Sequence, residues 1–196
     1  MKLPREFYCR DDVLEICREL LGKVLCTQLD GLLTKVVITE TEAYAGVTDK
    51  ASHAYGGRRT RRTEPMFGPG GVAYVYLCYG IHHLFNVVTN IEGTPHAVLI
   101  RAGEPLAGVD TMLARRNKSD IDSTLLSGPG SLAKGLGISS ALTGTDLMGD
   151  VIWIEDHQIS VSPDEITAGP RVGVGYADED ALLPYRFRAE LSASAE

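Results

Sequence analysis

The 196-residue sequence predicts a single α+β domain spanning residues 1–196, in which a mainly antiparallel sheet is flanked by helices and one β-hairpin protrudes. Strand-like segments come in pairs joined by tight turns, at Asp30-Gly31 and at Tyr79-Gly80-Ile81-His82, and do not alternate with crossover helices. Helical periodicity is confined to short stretches between them. No linker or internal repeat divides the chain, and a fold of this length buries roughly 70% of its unfolded surface. With 44% hydrophobic and 23% charged residues, order is expected everywhere except the tail, residues 192–196.

The elements follow in order. Asp12 and Glu15 resemble a capping box for a helix over residues 12–21, with Val13, Ile16, Cys17, Leu20 and Leu21 on one stripe and Gly22 as its stop. Strands over residues 23–28 and 32–44 are joined through Asp30-Gly31. Residues 45–71 are glycine-rich, basic and aperiodic, and a loop of that length in a compact domain usually serves a function. Residues 72–78 and 83–90 read as a hairpin, and residues 97–102 as a third strand. Residues 108–116 form an amphipathic helix, followed by a polar loop at 117–123. Ser127-Gly128-Pro129 then opens a helix to Leu136, whose free N–H groups at residues 128–131 suit a phosphate. Late strands are expected at residues 151–155, 159–162, around 172–176 and at 185–191.

A net charge of −7 argues against a nucleic-acid partner only as a single number. No acidic residue interrupts the run from Lys50 through Arg58, Arg59, Arg61 and Arg62, whereas the acidic residues crowd the C-terminal part. One basic face on an acidic body is expected, suited to phosphates; a solvated loop is the competing reading. The start, MKLPREFYCRDD, has no apolar run fit for a signal peptide, so a cytoplasmic, nucleoid-associated protein without a membrane segment is expected. Cys9, Cys17, Cys26 and Cys78 have no metal spacing and read as buried free thiols. Neither they nor the histidines suggest a metal, and no cofactor is expected.

Along residues 36–44 strand alternation puts Ile38, Glu40, Glu42 and Tyr44 on one face, and Val37, Thr39, Thr41 and Ala43 on the other. Neighbouring carboxylates raise one pKa, which suits a general base, and Glu42 at the strand's mouth is the better placed. Two harmless glutamates on a solvent edge remain the alternative. Tyr74 and Tyr76 share a face and Tyr79 falls at the turn, so Tyr76 can stack on an extruded base while Tyr79 fills the gap. Tyr74 reads more simply as a strand residue. Arg101, on an apolar strand, requires a carboxylate or phosphate partner, and a structural salt bridge would satisfy it equally. Arg171-Val172-Gly173-Val174-Gly175 lacks the Lys-Ser/Thr of a P-loop and reads as a strand whose glycines allow close approach. Carboxylates, arginines and tyrosines packed into residues 39–86 suit cutting a base from DNA.

Through VVITETEAYAG, SHAYGGRRTRRTEPMF, AYVYLCYGIHHLFNV, VLIRAGEPL, SGPGSLAKGLGI and RVGVGYA, in that order, the chain resembles the alkyladenine (3-methyladenine) DNA glycosylase family over nearly its whole length. The resemblance implies a mixed fold with a curved antiparallel sheet, and a monofunctional enzyme acting on double-stranded DNA with a damaged purine. It implies that Glu42 activates water held by Arg101 and the carbonyl of Val172. Tyr44, His53 and Tyr76 would enclose the flipped base, Asn86 would reject guanine by crowding its amino group, and Tyr79 would intercalate. Arg58 and Thr60 would meet phosphates, with Arg59 of the same cluster beside them. His82-His83 stand where relatives often carry an aromatic, and Gly130-Ser131 replace a Ser-Lys step. A monomer is expected. Two other classes fit parts of the pattern: a carbohydrate glycosidase using Glu40 and Glu42, and a non-catalytic nucleic-acid-binding module.

Overall fold

The structure, a computed structural model, describes residues 1–191, so the disorder expected of residues 192–196 lies outside the described residues. Its sheet has eight strands, all paired antiparallel, and curls around short flanking helices. Helix α1 (Arg5–Tyr8), which carries no sequence signal, precedes α2 (Val13–Glu19). The Asp12 carboxylate caps α2 by accepting from the N–H groups of Leu14 and Glu15. Strands β1 (Val24–Leu29) and β2 (Leu32–Tyr44) meet across a two-residue turn in which Asp30 and Gly31 both have positive φ, as its left-handed geometry requires.

Strands β3 (Ala73–Cys78) and β4 (His82–Thr89) form the second hairpin, followed by β5 (His96–Ala107), which runs well past the expected end at residue 102. Helices α3 (Val109–Arg116) and α4 (Pro129–Leu136) come next, then β6 (Ile152–Glu155), β7 (Ile166–Gly169) and β8 (Arg186–Ala189). The strand order β3-β4-β5-β2-β1-β6 makes β2 central, with β8 on its second half and β7 beyond β8.

Two expected strands do not form. Ser162 uses its N–H and hydroxyl to bind the Glu165 carboxylate, which bends residues 162–165 into a turn, and the strand starts later, at Ile166. Residues 172–176 bend at Gly173, whose φ is +75°, and run into a 3₁₀ segment at Gly175–Leu182. Cys17 and Cys26 are buried as expected, but Cys9 and Cys78 are partly exposed.

A bulge in β2 positions the chemistry. Thr39 has no partner on β5 and Arg101 none on β2, because the pairing steps from Ile38↔Gly103 through Glu40↔Ala102 to Thr41↔Ile100. Side-chain parity therefore flips. Val36 and Ile38 enter the main core, but beyond the bulge it is Ala43 that does so, while the Thr41 hydroxyl donates to the Cys17 carbonyl. Ile38 thus lies opposite Glu42 and Tyr44, correcting the face assigned by uninterrupted alternation. The main core joins this face of the sheet to Ile16 and Cys17 of α2 and Leu132 and Leu136 of α4. The other face carries a smaller cluster, in which Ala54, Met66 and Phe67 of the long loop pack on Tyr74, Val88 and Ala97. That cluster anchors the loop over the sheet.

Candidate active site

Glu42, beyond the bulge, is 0% exposed. One carboxylate oxygen accepts from the backbone N–H of Val172 at 2.8 Å and lies 3.2 Å from Arg101 Nη1; the other accepts from the Tyr44 hydroxyl at 2.9 Å. Val172 thus meets Glu42 through its N–H. Arg101 satisfies the need for a partner twice over, since its Nε also donates to Glu40 at 2.9 Å. Glu40 is further held by Arg186 at 3.4 Å. Burial raises the Glu42 pKa above its ordinary value, against the pull of Arg101, Val172 and Tyr44. Repulsion from Glu40, the cause that alternation suggested, is the smallest of these influences, because Arg101 stands between the carboxylates.

Position comes from a clamp with no sequence signal. Arg171 is buried, and its guanidinium pairs with both oxygens of Asp49, 122 residues away, with one contact at 2.8 Å. It also donates to the carbonyls of Ala43 and Asp180 and lies against the rings of Tyr44 and Tyr185. The same Asp49 carboxylate accepts from the N–H groups of Ala45 and Ala51. One ion pair therefore fixes the loop after β2, the Tyr44 ring and the residue preceding Val172.

The long loop delivers His53 to the rings of β3. His53 meets the edge of Tyr76 with centroids 4.7 Å apart, and its Nδ1 is 2.8 Å from the Tyr74 hydroxyl. Arg62 lies over the face of Tyr76 at 5.0 Å and reaches His53 Nε2 at 3.4 Å. Burial, reinforced by Arg62 and Arg58, lowers the His53 pKa to about 4. A neutral ring that accepts from Arg62 at Nε2 carries its proton on Nδ1, where it donates to Tyr74. Buried Asn86 donates its amide N–H to the carbonyls of Tyr74 and Leu84.

Tyr44, His53, Tyr74, Tyr76 and Asn86 line a cavity of about 30 Å³, and Tyr44, His53, Tyr76 and Tyr176 also line an adjoining cleft of about 580 Å³. Arg101, Val172, Tyr79 and the start of α4 border the cleft. Tyr79 is 88% exposed and has φ +51°, in a turn whose Ile81 N–H donates to the Cys78 carbonyl. The turn is therefore centred on Tyr79-Gly80, one residue earlier than expected.

The structure brings Glu42, Tyr44, His53, Tyr76, Asn86, Arg101 and Val172 together, with Tyr79 at the rim. Arg58 and Thr60 lie further out with Arg62 around a separate surface pocket. Arg59 turns away, its guanidinium paired with Glu64 at 2.7 Å and laid over Phe67. Reading residues alone missed Arg62, Asp49, Arg171 and Tyr176, whose hydroxyl donates to the Ala51 carbonyl. Arg62 stood within the arginine cluster; nothing in spacing links Asp49 to Arg171.

The family profile described as Methylpurine-DNA glycosylase (MPG) matches residues 6–193. A Bacillus cereus (strain G9842) protein named "Putative 3-methyladenine DNA glycosylase" is 48% identical over 196 residues, covering 95% of each chain. Proteins of the same name from Bacillus thuringiensis (strain Al Hakam) and Bacillus cereus (strain Q1) are each 48% identical over 199 residues, 97% of this chain and 96% of theirs. The chain belongs to the methylpurine-DNA glycosylase family.

Proposed function

From that membership, we propose that the protein excises alkylated or deaminated purines of the 3-methyladenine, 7-methylguanine, hypoxanthine and ethenoadenine class from duplex DNA. Water activated by Glu42 displaces the base at the sugar carbon, through an oxocarbenium-like transition state, and leaves an abasic site. The observation that carries this reading is a buried carboxylate, fixed by Val172, Tyr44 and Arg101, at the edge of a cleft walled by tyrosine rings. Glu42 takes the proton and opposes the positive charge that grows on the sugar. A purine methylated at N3 or N7 already carries charge and leaves without an acid, whereas a neutral lesion such as hypoxanthine needs a proton from elsewhere to leave. Tyrosine faces favour such a cation, and a neutral His53 adds no charge to that of Arg62 beside Tyr76.

Two further observations favour hydrolysis by a single working carboxylate. Glu40 is tied to Arg101 and Arg186, which leaves it poorly suited to the paired role of a carbohydrate glycosidase. A lyase step needs a free amine, whereas Lys35 is paired with Glu155, and Lys50 with Asp178 and Glu179. Asn86 is assigned the exclusion of guanine, Tyr79 the space of the extruded base, and Arg58 and Thr60 the phosphates.

Glu42→Gln tests the base. It is expected to bind DNA nearly as the wild type does but to slow single-turnover base release by about 10²–10⁴-fold. Because folding raises the Glu42 pKa, the ionised group opposes folding above that pKa, and the penalty fades as pH falls through it. Near neutrality the amide bears no such penalty, so the variant is expected to melt no lower than the wild type. In the wild type, release is expected to rise with pH as Glu42 ionises, with a midpoint above 4.5. Wild-type excision by the variant would reassign the base.

A further inference from the structure

The hairpin of β3 and β4 divides two clefts. On one side lies the cleft that contains Tyr76 and Arg101; on the other, Ile81, His82 and His83 of the hairpin face Arg116 of α3 and Lys134 of α4 across a groove of about 470 Å³. No carboxylate lines this second groove. Lys134 is exposed on the outer side of α4 and, among the described residues, its ammonium has neither a carboxylate nor a carbonyl partner. His83 Nδ1 accepts the backbone N–H of Ser140 at 3.1 Å, which leaves its Nε2 as the protonated, donating nitrogen. Arg116 is held beside them by the Leu125 carbonyl at 3.0 Å. In a chain of net charge −7, a groove lined by cations and free of acids needs a reason.

The hairpin and α4 are locked together where the groove begins. A Cβ on Gly130 would stand 2.9 Å from His82 Nδ1, so the imidazole packs directly on glycine backbone. His82-His83 and Gly130-Ser131, the two pairs set apart in the sequence, thus meet where His82 touches Gly130, and these two residues line both clefts and form the partition between them.

We propose that this groove holds backbone phosphates of the undamaged strand opposite the lesion, with Lys134 as its main cation. The inference rests on the excision reading. A wedge that enters the minor groove at Tyr79 has one strand on each of its flanks, and that groove is only about 6 Å wide in B-DNA. If the damaged nucleotide turns toward Tyr76, the partner strand runs along the flank formed by Ile81 and His83. Positive charge there offsets the repulsion that an acidic protein body offers to the second strand.

The test pairs Lys134→Glu with a duplex whose opposite-strand phosphates near the lesion are replaced by neutral methylphosphonates. The substituted side chain is exposed, so the melting temperature is expected to hold. Duplex affinity is expected to fall about tenfold or more, with the log-log salt slope reduced by about 1. Single-turnover base release from single-stranded alkylated DNA is expected to be unchanged. The methylphosphonate duplex is expected to weaken wild-type binding similarly and to cost the variant little more. Unchanged duplex affinity, an equal defect on single-stranded DNA, or losses that add in full would overturn the proposal. Should the wild type release no base at all, the excision reading falls, while duplex binding and its salt slope still decide the groove.

Discussion

Glu42, whose partners Tyr44, Arg101 and Val172 line the cleft, and Tyr79, at its rim, are opposite extremes of exposure. Every contact around Glu42 is provided for: it is sealed from solvent, receives a backbone N–H, a hydroxyl and a guanidinium, and is set by an ion pair buried one layer behind. Tyr79 stands in solvent on a turn that forces a tyrosine into the left-handed region, where glycine is at ease. The first region is over-determined, because a base must meet water at one distance. The second is left unpaired, because its partner is not part of the protein. Substitutions should therefore separate: those that remove the support behind Glu42 damage fold and chemistry together, whereas those at the tip damage DNA handling alone.

The sharpest break in that contrast is expected from Asp49→Ala. It leaves the Arg171 guanidinium buried with carbonyls alone and frees the N–H groups of Ala45 and Ala51. Loss of one partner of a buried pair costs about 3–5 kcal/mol. Chemical denaturation should show that loss, and base release should fall with it, because Val172 and Tyr44 lose their support. A variant with wild-type stability would mean that the clamp is not what holds the site. If stability falls and release at low temperature does not, Glu42 is positioned by Arg101 without it.

Tyr79→Ala probes the other extreme. The exposed ring contributes little to the fold, so the melting temperature is expected to move by no more than a degree or two. A buried tyrosine would instead cost about 3–5 kcal/mol on truncation. Excision is expected to suffer, more for a lesion in a stable pair than in a mismatch, since a mispaired base is easier to extrude. Equal defects on both substrates would remove Tyr79 from extrusion, and the contrast between the two regions would lose its functional half.

How legible each region was follows from how local its determinants are. Asp30-Gly31, the stripe of α2 and, to within one residue, the turn at Tyr79 are written in adjacent residues, so they could be read directly. The aromatic and acidic site residues were marked by residue type, helped by resemblance along whole motifs. What was not legible depends on distance or on a miscount of pleats. The bulge at Thr39 and Arg101 comes from pairing with β5, and no residue within β2 announces it, so strict alternation misplaced Ile38. The Asp49–Arg171 clamp joins two irregular segments through a contact that only the fold creates. The Arg59–Glu64 pair was not legible because Glu64 lies just beyond the run that looked free of acid, and the turn at Glu64–Phe67 brings it back.

The smallest expected effect divides that arginine cluster. Among the described residues Arg58 has no carboxylate partner, whereas the charge of Arg59 is already matched by Glu64 in a two-pronged pair. Counterion release counts the cations that reach phosphate, about one unit of log-log slope for each contact. Arg58→Ala is therefore expected to flatten the salt dependence of duplex binding by about 1, and Arg59→Ala to change it by clearly less. Glu64→Gln tests the cause, because it leaves the Arg59 side chain in place and removes its acidic partner. If the pairing is what withholds Arg59 from DNA, this variant binds duplex more tightly than the wild type and shows a steeper slope. Equal flattening in Arg58→Ala and Arg59→Ala, with no gain in Glu64→Gln, would mean that DNA breaks the pair and takes both arginines. The loop would then belong with Tyr79, among the parts completed only by the partner.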